Sequence, residues 1–463
     1  MDLKNVLSKI KSGDIRFVDL RFTDLRGVWQ HFTVVGHEFD EEAIKAGFGF
    51  DGSSVRGFQE IYNSDLILIP DTDTFFMDPF HESTVVCICD VYDPITHEPF
   101  AKDPRFTAKK AVEYLKKSKI GDVAYFGPEA EFFVFDRLEY DVSPLTSYID
   151  ISSGDIGDEG ETSDGYPIRP KAGYFPVPPF DKLQDFRSEM TDILESIGVT
   201  IEVHHHEVAS AGQIEVDMKF DSLLSMADKL MKYKYVARNL AKKYGYTVSF
   251  LPKPIFGDNG TGMHINQSIF KAGKNVFYEK KGYAGLSKEA LGYIGGILSN
   301  VKAILAITNP TNNSYRRLVP HYEAPTAIAY SMRNRSAAIR IPMYSESEKA
   351  KRLEFRCPDP TANPYLAFSA LVVSGINGIK EKMDPTKLGF GPFDENIWEK
   401  KKVKQTPRNF FETLDALSKD RILAESGVFT QELIDSYHDV KMEELKAAML
   451  YPTPADFYFY GDI

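Results

Sequence analysis

Phe126-Gly-Pro-Glu-Ala-Glu-Phe132 decides how the rest of the chain is read. In an extended strand successive side chains alternate between faces, so Glu129 and Glu131 share one face while Phe132 and Val134 take the other. Two carboxylates side by side among aromatic residues repel one another and lose hydration, so they require a cation or open water. A solvated strand face would account for that pair taken alone. Further acids in apolar strand settings favour the cation: Glu207 closes Ile201-Glu-Val-His-His-His-Glu207, Glu215 sits in Gly212-Gln-Ile-Glu-Val216, and Glu354 in Arg352-Leu-Glu-Phe-Arg356. His264 follows the Gly-rich turn Asn259-Gly-Thr-Gly-Met-His264 and adds a nitrogen donor. A mainly carboxylate set suits magnesium or manganese rather than zinc. His204, His205 and His206 read as packed or supporting residues, since alternate residues of a strand point opposite ways.

Working outward, residues 123–136 read as one strand and residues 105–117 as the helix before it. Upstream, two alternating runs flank Asp24-Leu-Arg-Gly27 within residues 15–35 and predict a hairpin, with more strand-like runs at 66–69 and 85–89. These form a small N-terminal β-rich domain, residues 1–104, before a larger domain over 105–463. In the larger part, residues 181–197 and 221–243 predict helices, the second carrying the stripe Leu223, Met226, Leu230, Tyr233, Val236, Leu240 with Asp221 as cap and Gly245 as stop. Residues 201–208, 213–219, 246–252 and 263–270 predict strands, and the Gly- and acid-rich residues 154–165 a mobile loop.

Bulk properties narrow the classes. A chain of 463 residues with 43% hydrophobic and 26% charged residues has ordinary globular composition. No apolar run approaches the ~18 residues a membrane span needs, and the amino terminus lacks the apolar core of a secretory signal, so a cytoplasmic, membrane-free protein is expected. Three cysteines without a Cys-x-x-Cys pair support neither a disulfide framework nor a thiolate zinc site. A net charge of −12 opposes nucleic-acid binding and favours a small-molecule substrate.

A cationic cluster stands beside the acids: Arg316, Arg317, Arg333, Arg335, Arg340, Arg352 and Arg356 surround Glu354 in sequence. Guanidinium forks bind phosphate and carboxylate through paired hydrogen bonds, so arginines bordering a metal site point to phosphoryl transfer. Gly47-Phe-Gly-Phe-Asp-Gly52 matches a dinucleotide fingerprint literally, but a helix-like stretch precedes it, the reverse of the required strand-then-helix order. No Gly-x-x-x-x-Gly-Lys-Ser/Thr loop occurs, so ATP would be held by metals and side chains.

Phe50-Asp-Gly-Ser-Ser54, Gly127-Pro-Glu-Ala-Glu131, His205-His-Glu207, Lys253-Pro-Ile-Phe-Gly-Asp-Asn-Gly260, Asn309-Pro-Thr, Arg333-Asn-Arg-Ser and Arg356-Cys-Pro-Asp-Pro-Thr-Ala-Asn-Pro364 together resemble glutamine synthetase of the bacterial and archaeal type I form, over nearly the whole chain. The resemblance implies an α+β fold: an N-terminal β-grasp domain and a catalytic domain whose curved antiparallel sheet is flanked by helices. It implies two or three Mg2+ or Mn2+ ions per subunit, one on Glu131, Glu207 and Glu215 and one on Glu129, His264 and Glu354. Arg335, Arg340, Arg352 and Lys349 would contact phosphates, Glu202, Phe220 and Ser268 the nucleotide, and Asn259, Gly260, Arg317 and Arg356 the glutamate. Asp51 would draw in ammonium and deprotonate it, Tyr174 would line that site, and Glu323 would belong to a flap shielding the acyl phosphate. The implied reaction joins ammonia to the γ-carboxylate of glutamate by way of γ-glutamyl phosphate, with ATP as co-substrate. The implied assembly is a dodecamer of two hexameric rings, its active sites shared between subunits.

Three positions depart from the resemblance. Asn266 stands where many type I members carry a second histidine, Phe58 replaces a common tryptophan, and Asn396-Ile-Trp398 lacks the tyrosine that accepts AMP, so no control by adenylylation is expected. A γ-glutamyl ligase using a larger amine, or a non-catalytic structural relative, are the competing readings; Asp51 and Tyr174 favour ammonium, and the full set of site residues favours catalysis.

Overall fold

The computed structural model describes residues 1–156, 165–320, 322, 324–345, 347–395, 397 and 403–461. The predicted hairpin forms as β1 (Phe17–Thr23) and β2 (Trp29–Val35), antiparallel from Phe17↔Val35 to Thr23↔Trp29. The Asp24 carboxylate accepts from the Arg26 and Val28 amides at 2.9 Å each, and Gly27 takes φ 84°. An added Cβ at Gly27 would meet Asn363 Cα at 2.8 Å, so the turn is pressed against the larger part of the chain. With β3 (Phe48–Asp51), β4 (Asp65–Pro70), β5 (Phe76–Met77) and β6 (Thr84–Tyr92) the hairpin makes a six-stranded sheet of order β2-β1-β6-β4-β3, with β5 on β6. A helix over Glu41–Ala46 leads into β3, which places Gly47 to Gly52 on a helix-to-strand passage.

Helix Pro104–Ser118 begins with Pro at its first turn and Asp103 as cap, a favourable start because the proline lacks an amide that would be unpaired there. Its buried Arg105 ties the two parts of the chain together, reaching Asp228 at 2.9 Å, Asp90 at 2.7 Å and Asp71 at 2.8 Å. Tyr365 donates to the same Asp228 at 2.6 Å.

The larger part continues through β7 (Val123–Ala130), β8 (Phe132–Phe135), the hairpin β9 (Arg137–Val142) and β10 (Ser147–Ser152), β11 (Ile201–His206), β12 (Gln213–Met218), β13 (Asp221–Ser222), β14 (Thr247–Ser249), β15 (Met263–Lys271), β16 (Lys274–Asn275), β17 (Ala327–Met332), β18 (Ala337–Ile341) and β19 (Leu353–Phe355). Seven strands form a sheet of order β13-β7-β15-β19-β18-β17, with β16 on β15; it is antiparallel except between β17 and β18. Four more run β11-β12-β8-β14. The single strand expected over residues 123–136 is therefore two strands in different sheets, divided at Glu131. At the division the Glu131 amide donates to the Gly262 carbonyl at 3.1 Å, and two residues after β8 begins the Val134 amide donates to Gly212 at 2.8 Å. Alternation alone cannot reveal such a switch, because both halves remain extended and keep the period of two.

Behind the sheets lie helices with continuous apolar faces. All six residues of the predicted stripe from Leu223 to Leu240 are buried. That helix runs Leu223–Tyr244 and ends on Gly245 at φ 79°, while its cap position is Ser222, one residue beyond the expected Asp221; the Asp221 carboxylate accepts from Ser222 and Ser225 instead. Tyr233 donates to the Ala130 carbonyl at 2.7 Å, and Phe126 stacks on Phe368 of helix Pro364–Lys380 with centroids 4.6 Å apart. β7 is thus fixed from its core side, leaving its odd-numbered residues to face the opposite cavity. Helix Gln184–Ser196 matches the expectation over 181–197, and β14 is shorter than expected over 246–252. Most of the loop expected at 154–165 lies outside the described residues. Among the described residues, no single helix is long and apolar enough to cross a membrane.

Candidate active site

Strand register builds the first donor group. β15 pairs with β7 so that His264 stands opposite Glu129, and with β19 so that Asn266 stands opposite Glu354. Glu354 in turn faces Arg340 across β18. Along β15 the even residues His264, Asn266 and Ser268 turn to the cavity while Met263, Ile265 and Ile269 enter the core. His264 Nδ1 consequently lies 3.3 Å from Glu129 and 3.9 Å from Glu354, and all three offer donor atoms within 4.8 Å of one another. Gly262 leaves room for this, since a Cβ there would meet His264 Nε2 at 3.0 Å and Arg317 Nη2 at 2.6 Å.

A second group lies on the neighbouring sheet. β12 presents Gln213, Glu215 and Asp217 on one face, and His205 of β11 is registered opposite Glu215. His205, Glu207 and Glu215 offer donor atoms within 4.8 Å, with His205 Nε2 3.6 Å from Glu215. Glu131 lines the same cavity, its carboxylate accepting from the Gly262 amide at 2.8 Å and from Gln213 Nε2 at 3.1 Å. His205 thus joins the carboxylates at close range, beside the expected set of Glu131, Glu207 and Glu215, all of which line one cavity.

Electrostatics tests whether these residues fit a cation. Burial, then the charge of Glu207, pushes Glu131 up to about 8. Burial, then Asp217 and Glu131, holds Glu215 well above the ordinary carboxyl range, and burial also raises Asp217 to about 7. Burial and the Arg356 charge keep His264 well below its ordinary value, so its imidazole is neutral and able to donate a lone pair. Carboxylates crowded out of water beside a neutral imidazole are what a divalent ion relieves, and a mainly carboxylate set with one imidazole in each group suits a hard ion. The residues fit.

Three cavities meet here. The ion cavity, lined by both donor groups and by Tyr174, Arg335, Arg340, Arg352 and Arg356, shares Glu129, Asp217, Asn266 and Arg352 with a neighbour of about 340 Å³. That neighbour carries Glu202, Phe220, Ser268, Lys349 and Arg352, and the exposed Phe220 packs on Tyr125 with the ring planes nearly perpendicular. On the other side the ion cavity shares Glu131, Glu207, His264, Arg335 and Arg356 with a pocket carrying Asn259, Gly260 and Arg317. Only glycine suits position 260, where a Cβ would lie 2.7 Å from the Pro252 carbonyl. Arg340 borders the ion cavity alone of the three, paired with Glu354 at 2.5 Å and donating to the Tyr344 hydroxyl at 2.7 Å. Arg356 also pairs with Glu354, so that carboxylate sits between two guanidinium groups. Arg317 is engaged with backbone, donating to Cys357 at 2.7 Å, Pro358 at 3.1 Å and Arg356 at 3.1 Å.

Asp51 ends β3 on the N-terminal sheet, exposed and apart from these cavities. Hydrogen bonds from the Ser53 and Ser54 hydroxyls and the Ser53 amide hold its carboxyl below the ordinary range. Burial and the nearby Glu207 raise the Tyr174 phenol. Glu323, Asn396 and Trp398 lie outside the described residues. Four residues entered the site without being singled out as part of it: His205, Gln213, Asp217 and Asn266. For three of them the signal was available, since His205 alternates with Glu207, and Gln213 and Asp217 with Glu215.

Two donor groups that could hold divalent ions, set between a cavity of about 340 Å³ and an arginine-lined pocket, are the arrangement of a metal-dependent phosphoryl-transfer enzyme. The model of the glutamine synthetase catalytic domain matches residues 101–460, and that of the glutamine synthetase beta-grasp domain matches residues 14–94. Glutamine synthetases of Frankia alni and of Aquifex aeolicus are each 48% identical, over 99% of this chain and 99% of theirs. The cryo-EM structure of Plasmodium falciparum glutamine synthetase superposes with TM-score 0.90 at 28% identity, and a GmaS/ADP complex with TM-score 0.84 at 26%, each covering 99% of both chains. The chain belongs to the glutamine synthetase family, in its type I form. Its activity is the ATP-dependent joining of ammonia to glutamate, with dependence on a divalent metal; ligation of a larger amine is not favoured.

Proposed function

We propose that Glu129, His264 and Glu354 hold one magnesium or manganese ion, and that Glu131, Glu207 and Glu215, with His205 beside them, hold another. The observation that carries this reading is the ion cavity's position, open on one side to the nucleotide-sized cavity and on the other to the arginine-lined pocket. ATP then enters over Phe220, with Glu202 and Ser268 at its base and ribose and Lys349, Arg352 and Arg340 toward its phosphates. Glutamate lies in the pocket of Asn259, Gly260 and Arg356, with Arg317 bracing the backbone around it. Bound ions would neutralise the phosphate oxygens and polarise the transferred group.

The γ-carboxylate oxygen attacks the terminal phosphorus while the bond to ADP breaks. Arg335, common to the ion and glutamate cavities, offsets charge on the moving phosphoryl group. Ammonium gives a proton to Asp51, and the resulting ammonia attacks the acyl carbon beside Tyr174. The C–O bond to phosphate breaks, and the extra proton on the new amide nitrogen passes to the departing phosphate. Glu323 covers the acyl phosphate against water.

Asp51 reaches such a site only from a second copy of the chain. The division into residues 1–104 and 105–463 then separates the part that is lent from the part that receives it. Exposed Phe457, Tyr458, Phe459 and Tyr460 near the carboxyl terminus favour burial in an assembly, which we read as a dodecamer of two hexameric rings. Three buried, unpaired cysteines suit the cytoplasm.

The test is phosphate release from ATP with glutamate, ammonia and Mg2+ or Mn2+, omitting each in turn and replacing ammonia by a polyamine. Release should require every component and give glutamine. Release that follows the polyamine and ignores ammonia would overturn the assignment of Asp51 and Tyr174.

A further inference from the structure

Asn266 lies where the ion cavity and the nucleotide-sized cavity join, and its side chain touches both. Its Nδ2 donates to Glu129 Oε1 at 2.8 Å, and its Oδ1 accepts from Arg352 Nε at 2.9 Å. The amide can face only this way, because its nitrogen meets a carboxylate and the Gly127 carbonyl while its oxygen meets a guanidinium. Glu129 is thereby fixed through one oxygen, and its other oxygen is the one 3.3 Å from His264. Arg352 is fixed through Nε, which sets the plane of its fork at the edge of the nucleotide cavity. β-Sheet register places Glu354 directly across from Asn266, so the amide neighbours two of the three donor residues.

We infer that Asn266 is a positioning residue that couples the Glu129–His264–Glu354 ion to Arg352, so that ion binding and ATP binding reinforce one another. The inference rests on the placement of ATP and the ions proposed above. A carboxamide suits the task because it donates to an anion and accepts from a cation at once, and does so without net charge. Groups that hold a metal ligand in place typically change metal affinity or activity by about 10–100-fold when removed.

The test uses the full-length enzyme and reads three quantities: the dissociation constant for Mn2+ without nucleotide, KM for ATP and KM for glutamate. Asn266→Leu keeps the size and loses both hydrogen bonds. It should raise the Mn2+ constant and KM for ATP by about tenfold or more while KM for glutamate moves less than about threefold. Asn266→His, able to donate from one nitrogen and accept at the other, should recover most of the loss. Should Asn266→Leu not fold, Asn266→Ser, whose hydroxyl is too short to span both partners, reads the same split. Arg352→Ala separates the two levels of the argument. If it leaves KM for ATP unchanged, the nucleotide placement fails and the inference with it. If it raises KM for ATP while the Asn266 variants move neither the Mn2+ constant nor KM for ATP, or raise KM for glutamate equally, the placement stands and the coupling role is overturned.

Discussion

At Glu131 two opposing demands meet in one carboxyl group: the Gly262 amide and Gln213 stabilise its anion, while burial and Glu207 favour its protonated form and prevail. Glu129, two residues earlier, is half-buried and tied to Asn266. The two acids therefore answer to different ligands. Glu131→Gln should raise KM for glutamate and Glu129→Gln KM for ATP, each by about tenfold or more; equal effects of both variants on both constants would contradict the separation. Gly260→Ala forces a Cβ against the Pro252 carbonyl and Arg317, and should raise KM for glutamate with little change in KM for ATP. The acids were readable in the sequence because charge is conspicuous among apolar strand residues. His205 carried a weaker signal, its alternation with Glu207, because three consecutive histidines give no contrast of charge that singles one out. Arg317 shows the converse, because composition cannot reveal that a guanidinium is already occupied by three carbonyls.

Elements impose their own requirements. In the N-terminal sheet, buried Asp19 of β1 accepts from Arg21 at 2.7 Å, His31 at 2.7 Å and Thr33 at 2.9 Å. Burial alone would raise its carboxyl, but Arg21 and His31 outweigh that and hold it below the ordinary 3.8. Asp19→Asn should cost about 1–3 kcal/mol of stability. The folded chain releases this proton more readily than the unfolded one, so the contribution is complete above pH 3.8 and fades as pH falls through the depressed folded value. Melting temperatures of parent and variant should accordingly differ at pH 7 and converge in acid; a constant gap would show that packing rather than charge is responsible. The first hairpin and the three helices expected from residues 105, 181 and 221 were legible at this scale, as glycine stops and apolar stripes act locally, whereas the β9–β10 hairpin was not expected and the cap before Leu223 fell one residue later than expected. The passage from β7 to β8 was not, because partner strands far away in sequence decide which sheet each half joins.

For the whole molecule, the proposed lending of Asp51 between copies makes activity a property of the assembly. Asp51→Ala and Glu354→Gln should each be inactive alone, yet mixed rings should regain about a quarter of the sites, since some interfaces pair two intact halves. No recovery on co-expression would overturn the lending of Asp51 between copies. Removing residues 454–463 takes away the exposed aromatic segment and should reduce the particle mass seen by light scattering. Neither association nor its geometry can be read from hydropathy, which registers the aromatic residues but not what covers them. The division of one extended segment at Glu131 also bears on descent. One residue inserted between Val123 and Phe135 would turn the acids on one side of it into the core, and no neighbouring change could restore both sheets at once. That stretch therefore acts as a ruler of fixed length: side chains along the rims of the cavities can be exchanged without moving the acids, whereas lengthening or shortening the chain between the two sheets moves them.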